Sequence, residues 1–235
     1  MLKTSIIIPT LNEAEHIERL VLYLLKHGGS AVKEIIVVDG GSTDHTQRLA
    51  EMAGAKVICA KDRRGRAKQL NIGAQAAQGE LLYFVHADTL PPKSYMQDIQ
   101  AALQQGYSIG CFRFKFNSNR SVFRLNDLFT GLDVLWVRGG DQSFFIPRSA
   151  FEALGGYDEE YVVMEDFDLL IRARKEYRFK ILPKRILVSA RKYDHNTWWQ
   201  VQVANLTVFR MYKKGYKPQQ LAEKYRTMLR IDRYE

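Results

Sequence analysis

Thiol chemistry is nearly missing from this chain. Its 235 residues include two cysteines, Cys59 and Cys111, too few for a disulfide framework. Cys59 closes the apolar run Lys56-Val57-Ile58-Cys59 and reads as a reduced, buried thiol, which points to the cytoplasm. Long apolar runs are missing as well. None reaches the roughly 20 residues that cross a bilayer. The short run Ile6-Ile7-Ile8 is cut by Pro9 and Asn12, so it reads as a strand and not as a secretion signal. Internal repeats and low-complexity tracts are also absent. Hydrophobic residues make up 46%, enough at this length for a full core in one domain with an appendage.

Acidic residues are scarce at one end only. Residues 1–170 hold 18 Lys and Arg against 21 Asp and Glu, whereas residues 171–235 hold 17 against 5 and generate the net charge of +9. A basic end suits an anionic partner such as membrane lipid, a polyprenyl phosphate or nucleic acid, and a plain solvated surface explains it equally well. Positions 196–209 carry no charge and include Trp198, Trp199, Val201, Val203, Leu206, Val208 and Phe209, with Arg210, Lys213 and Lys214 directly behind. Such a segment lies in a membrane interface, or packs on the core or on a second copy in a homodimer. The tryptophans among the basic residues fit a peripheral membrane surface better than nucleic acid, so no nucleic-acid partner is expected.

The front half alternates strand and helix. Buried strands are predicted at Ser5–Ile8, Glu34–Asp39, Lys56–Cys59 and Leu81–Val85. Helices are predicted over Glu13–Lys26, after an N-cap at Ser42, and over Arg66–Ala77. Short β-branched runs between helices indicate a mainly parallel α/β sheet covered on both faces, which binds ligands at the carboxyl ends of its strands. Beyond Pro91-Pro92 the pattern loosens. A helix to Gln104, a strand at Ile109–Phe116, a helix at Arg120–Leu132 and a strand at Gln142–Pro147 come first. A helix at Arg148–Leu154, a helix from Asp166 to Glu176 and strands at Arg178–Leu182 and Ile186–Ser189 follow.

Polar residues gather at the strand ends. Pro9-Thr10-Leu11-Asn12-Glu13 follows the first strand, where the next helix offers free N–H groups to an anion, making a nucleotide-pocket wall or an ordinary capped start. Asp39 ends the second, and Gly40 and Gly41 behind it let backbone approach a flat base, or simply turn. The basic stretch Arg63-Arg64-Gly65-Arg66-Ala67-Lys68-Gln69-Leu70-Asn71 enters a helix and suits phosphate, with Arg66 the favoured member, or is a solvated charged face. His86-Ala87-Asp88 ends the fourth strand with a carboxylate suited to a hard divalent cation, and His195 is a candidate to complete that site. Gly140, Asp141 and Gln142 are candidate acceptor contacts or a plain turn. Glu165-Asp166-Phe167-Asp168 has more acid than a helix start requires, with Asp166 the candidate base and Glu165 its orienting neighbour.

Taken in order, Pro9-Thr10-Leu11-Asn12-Glu13, Val38-Asp39-Gly40-Gly41-Ser42-Thr43-Asp44, His86-Ala87-Asp88, Gly155-Gly156-Tyr157-Asp158 and Glu165-Asp166-Phe167-Asp168-Leu169 form a set. With these motifs the chain resembles the family 2 glycosyltransferases, inverting enzymes with the GT-A-type nucleotide-diphospho-sugar transferase fold. The likeness covers about residues 3–190, and the tail from Lys214 to Ala222 is similar to that of small, soluble bacterial members. The resemblance implies a UDP-sugar donor, a hydroxyl acceptor that is lipid-linked or small, and Mn²⁺ or Mg²⁺ as cofactor. It implies that Asp39 touches the base, with Pro9, Thr10, Leu11, Asn12, Glu13, Gly41, Arg66 and Ala87 around the nucleotide. Asp88 would hold the metal on the diphosphate and Asp166 would deprotonate the acceptor. His86 stands where many members have Asp, and the Gln-X-X-Arg-Trp motif of processive synthases is missing, so a single transfer is expected. The implied layout is a catalytic domain over 1–190, with a nucleotide half at 1–90 and an acceptor half at 91–190, and a basic helical tail at 191–235. A nucleotidyltransferase would need a Gly-rich Arg-Lys loop after the first strand, where Leu11-Asn12-Glu13 stands. A non-catalytic nucleotide-sugar-binding or membrane-associated module of the same fold remains the alternative.

Overall fold

The structure is a computed structural model that describes residues 1–118, Phe123 and residues 143–230. The strands are β1 (Thr4–Thr10), β2 (Val32–Asp39), β3 (Lys56–Cys59), β4 (Leu81–Phe84), β5 (Thr89–Leu90), β6 (Ile109–Phe116), β7 (Phe144–Pro147) and β8 (Phe179–Val188). The α-helices are α1 (Ile17–Gly28), α2 (Thr46–Met52), α3 (Arg66–Gln75), α4 (Tyr95–Gln104), α5 (Arg148–Ala153), α6 (Glu165–Glu176), α7 (Trp198–Lys213) and α8 (Pro218–Met228). The described strands form one sheet in the order β3-β2-β1-β4-β7-β6-β8-β5. β1 pairs in parallel with β2 and β4, β2 with β3, and β6 with β8. β7 lies antiparallel between β4 and β6, and β5 runs antiparallel to β8. Two successive reversals at β7 make β6 and β8 point the same way as β4. The carboxyl ends of β1, β2, β4 and β8 therefore meet along one edge, where the polar residues sit.

The pleat sorts the branched side chains. Ile6, Ile8, Ile35 and Val37 face one layer with Leu20, Val21 and Leu24 of α1 and Tyr95 and Ile99 of α4. Ile7, Ile36 and Val38 face the other, with Ala67, Leu70 and Ala74 of α3, Phe151 of α5 and Leu169 of α6. Burial of both faces removes the polar alternation, hence the continuous apolar runs in the sequence. Gly73 lets α3 lie close on the sheet, since a Cβ there would sit 2.4 Å from a methyl of Ile7.

Three expectations are corrected. Ser42 does not cap α2, which begins at Thr46, because its hydroxyl is taken by Asp39 and by the Asn12 N–H; the Asp44 carboxylate receives the Thr46 N–H instead. The two strands expected around Pro183 are one, β8, which absorbs extra residues where the register shifts opposite Phe112 and Arg113. Cys59 is exposed rather than buried, because β3 is an edge strand and Cys59 is its last residue; Cys111 is the buried thiol. Of the readings open for the C-terminal segment, packing on the core holds for one side of α7, since Val201 and Ala204 and also Leu229 join the same core layer as Ile6 and Tyr83. The helix expected at 120–132 lies outside the described residues, Phe123 apart.

Candidate active site

The β1 and β2 ends are zipped together. Asn12 takes a left-handed φ of 54°, which its short amide side chain tolerates. Its N–H donates to the Ser42 hydroxyl (2.8 Å), and its side-chain oxygen accepts from the Thr43 N–H (2.9 Å). The N–H of Glu13 donates to Thr46 Oγ1 (2.8 Å) and that of Ala14 to Asp44 (3.2 Å). Burial raises the Asp44 carboxyl, but donors from Thr46 and Ala14 outweigh it and hold the group below its ordinary value. Thr10 and Asp39 are buried, with Gln69 bridging the carbonyls of Thr10 (2.9 Å) and Val38 (2.8 Å). Asp39 itself takes five donors. Oδ1 accepts from Gly41 N (3.0 Å), Ser42 N (2.8 Å) and Gln47 Nε2 (2.8 Å), and Oδ2 from the hydroxyls of Thr10 and Ser42. Gly41 has φ 92°, the conformation that presents its N–H to Asp39 and that a side chain would strain.

At the end of β4, Ala87 is buried in the core, so its backbone is what a ligand can touch. Asp88 and Glu13 converge on one guanidinium. Arg191, just past β8, grips Glu13 through both terminal nitrogens and lies 3.1 Å from Asp88 Oδ2. His195 is exposed in the turn beyond. Among the described residues no three His, Cys, Asp or Glu side chains form a group that could hold a metal. The Asp88 carboxylate, with Glu13 beside it on Arg191, would suit a hard divalent cation whose remaining ligands came from a bound diphosphate, and not an all-protein cage.

Opposite β4, α6 opens with the acid pair. The residue ahead of it, Met164, is held at φ 73°, a costly conformation for an unbranched non-glycine side chain, and is pinned by burial against Val208, Phe209 and Leu221. Glu165 is 1% exposed and pairs with Arg66 at 3.0 Å. Asp166 is half-buried and accepts the Phe167 N–H at 2.8 Å. Asp168 accepts from the Tyr212 hydroxyl of α7 (3.0 Å) and pairs with Arg172, which in turn donates to the carbonyls of Leu154 and Gly156. Asn71 locks the neighbouring turn by exchanging two hydrogen bonds with the Tyr157 backbone, both 2.9 Å. The result is a cleft lined by Arg66, His86, Ser143, Tyr157, Glu165 and Asp166. Burial, then the charges of Asp166 and Glu165, push the Tyr157 hydroxyl well above its usual value, so it stays protonated there.

The structure thus brings His86, Arg66, Glu165 and Asp166 into one cleft, and Glu13 and Asp88 onto one arginine. Gly140, Asp141 and Gln142 lie outside the described residues. Arg191 and Gln47 were not anticipated, and Gln69, Asn71 and Tyr157 fell inside noted motifs without a role assigned to them. Arg191 had one legible signal, its place directly after the last strand, on the same edge as Asp88.

Acids and amides at the carboxyl ends of a mainly parallel sheet, facing an acidic helix start across a cleft, define a nucleotide-diphospho-sugar transferase fold of the GT-A type. Residues 5–162 match the family described as glycosyl transferase family 2, and the chain belongs to it. It is 25% identical over 223 residues to the probable glycosyltransferase YdaM of Bacillus subtilis, covering 84% of this chain and 53% of YdaM. The chain spans about a third to a half of the length of the first curated relatives it matches. Its fold matches S. aureus TarS 1-349 in complex with UDP-GlcNAc at a TM-score of 0.66 and 19% identity, covering 95% of this chain and 70% of that one. It matches glucosyl-3-phosphoglycerate synthase from Mycobacterium tuberculosis, in complex with Mn²⁺, UDP and glucosyl-3-phosphoglycerate, at a TM-score of 0.62 and 19% identity, covering 87% and 78%.

Proposed function

We propose that this protein is a cytoplasmic, inverting glycosyltransferase that moves one sugar from a UDP-sugar to a hydroxyl acceptor. The observation that carries the reading is the cleft in which Asp166 at the start of α6 faces His86 at the end of β4. In this reading the zipped β1 and β2 loops, with Pro9 to Glu13, Asp39 and Gly41, form the nucleoside wall. Ala87 contributes backbone, and Arg66 lies between the phosphates and Glu165. The acceptor oxygen gives its proton to Asp166 as it bonds to the anomeric carbon from the face opposite the leaving group. The bond from that carbon to the diphosphate breaks, its electron pair leaves with the nucleoside diphosphate, and the configuration inverts. Glu165, tied to Arg66, and Asp168, tied to Tyr212 and Arg172, hold the helix start that aims Asp166. Asp88 would hold Mn²⁺ or Mg²⁺, with His195 as a further donor, and the cation would supply charge neutralisation for the departing diphosphate. Gly140, Asp141 and Gln142 are assigned to the acceptor on sequence grounds alone.

Calorimetric titration with UDP, GDP, dTDP and CDP, with and without Mn²⁺, tests this. The expected result is metal-dependent binding of UDP that disappears in Asp88→Ala. Asp166→Asn should keep UDP affinity and lose transfer. The Arg191 pairing at Asp88 favours one competitor, a module that binds nucleotide without catalysis. Metal-independent UDP binding with no hydrolysis or transfer would establish that competitor.

A further inference from the structure

We propose that α7 seats this protein on an anionic membrane surface through a single exposed stripe. The proposal deepens the transferase reading by naming where its acceptor lies, though the docking itself does not depend on catalysis. α7 starts at a full capping box, Thr197 with Gln200, and runs 16 residues without an acidic side chain. One side, Val201, Ala204, Val208 and Phe209, is buried in the protein. On the other, Trp199 is 71% exposed, Val203 51% and Leu206 38%, at helical spacings of four and three. The same line continues at spacings of four and three to Arg210 and Lys213, both exposed. Lys214 and Lys217 are exposed just beyond.

An apolar half-stripe that runs into a cationic half-stripe has a limited set of partners. Nucleic acid would neutralise the lysines and leave Val203 and Leu206 in water. A second copy would bring its own basic end, 17 Lys and Arg against 5 Asp and Glu over residues 171–235, toward this one. The boundary of an anionic bilayer satisfies both halves, with Trp, Val and Leu at the acyl–headgroup border and Arg and Lys on lipid phosphates. The helix would lie flat, since no described helix is long and apolar enough to cross a membrane. Three apolar side chains are too few to hold the protein on a neutral bilayer, so binding must need anionic lipid and weaken with salt. The buried side of α7 also touches Met164, the residue before Glu165 and Asp166, so the catalytic acids lie one layer of side chains away from the lipid. That placement suits an acceptor hydroxyl carried on a lipid.

The test is co-sedimentation with vesicles of phosphatidylcholine alone and of phosphatidylcholine mixed with phosphatidylglycerol. Wild type should pellet only with the mixed vesicles and be released by salt. Arg210→Gln with Lys213→Gln should bind roughly 30-fold more weakly, from about 1 kcal/mol per basic residue near the surface. Trp199→Ser with Leu206→Ser should also lose pelleting. All four positions are exposed, and unchanged thermal melts will show that the variants fold. Failure of wild type to pellet with anionic vesicles overturns the proposal, as does undiminished pelleting by both variants. So does a wild-type dimer in light scattering that the Trp199 and Leu206 variant dissolves, which would assign the stripe to a second copy. UDP titration of the same variants keeps the two readings apart, because loss of vesicle binding with intact UDP binding concerns the stripe alone.

Discussion

Arg66→Met should destabilise the protein far more than Arg63→Met, although both residues come from the same basic loop and both pair with a glutamate. Arg63 and Glu159 are 51% and 34% exposed in their side chains, so water competes for both charges and the pair contributes about 0–1 kcal/mol. Glu165 is 2% exposed in its side chain, while Arg66 is 30% exposed. Removing Arg66 strands a carboxylate that has lost access to water. A fully buried pair broken in this way costs about 3–5 kcal/mol. Partial exposure of Arg66, together with the favourable dipole at the α6 start, reduces that to about 2–3 kcal/mol. For a chain of this size each kcal/mol shifts Tm by about 2–4 °C, so Arg66→Met should melt roughly 4–12 °C lower and Arg63→Met within a few degrees of wild type. Differential scanning calorimetry at neutral pH decides it. Equal shifts in the two variants would refute the burial argument, and with it the claim that Glu165 depends on Arg66 for its place beside Asp166.

Three further outcomes are expected. Gly110→Ala should cost about 3 kcal/mol in urea unfolding, because its Cβ would sit 2.4 Å from the Lys180 carbonyl oxygen, a backbone atom in the adjoining strand that cannot swing away. Tyr212→Phe removes the donor to Asp168 and should cost about 1–2 kcal/mol. It should also lower kcat with UDP affinity unchanged, and a shift in UDP affinity alone would contradict the positioning role. The carboxyls of Asp44 and Glu159 are both held below their ordinary 3.8 and 4.5. At Glu159 burial is outweighed by donors from Asn71 and Arg63 and by the charges of Arg63 and Lys68. A depressed folded-state value stabilises the protein above the unfolded value and is lost as pH falls through the folded one. Stability should therefore decline on acidification below about pH 4.5, and Asp44→Asn with Glu159→Gln should flatten that decline in acid-unfolding curves.

The central strands were legible because burial on both faces leaves an unmistakable record: Ile6 to Ile8 and Ile35 to Val38 have no polar interruption. Their polar ends were legible for the same reason, since Asn12, Asp39 and Asp88 break those runs. What each polar group touches was not legible. Asp39's saturation depends on Thr10, Ser42 and Gln47 together, and the Arg191 contact with Glu13 joins positions 178 residues apart. The break at Pro183 looked like the end of a strand, because a single sequence does not show that a neighbouring strand tolerates a register shift. The C-terminal segment looked like an appendage because its composition is basic. The small inward residues that seat it, Val201 and Ala204, are unremarkable beside two tryptophans.

The seating of those last helices has a consequence for biosynthesis. β1 lies inside the sheet and is made before the other described strands, yet the layer that covers it includes Val201, Ala204 and Leu229. Chains fold as they lengthen, at tens of residues each few seconds. The nascent chain must therefore hold an incompletely covered sheet until Leu229 has been made. During that interval the face bearing Ile6 and Tyr83 lacks part of its covering layer, and that is where premature association of nascent chains should begin. A substitution that loosens α7, such as Ala204→Asp, should lower soluble yield during expression more than its effect on the purified fold's melting temperature accounts for.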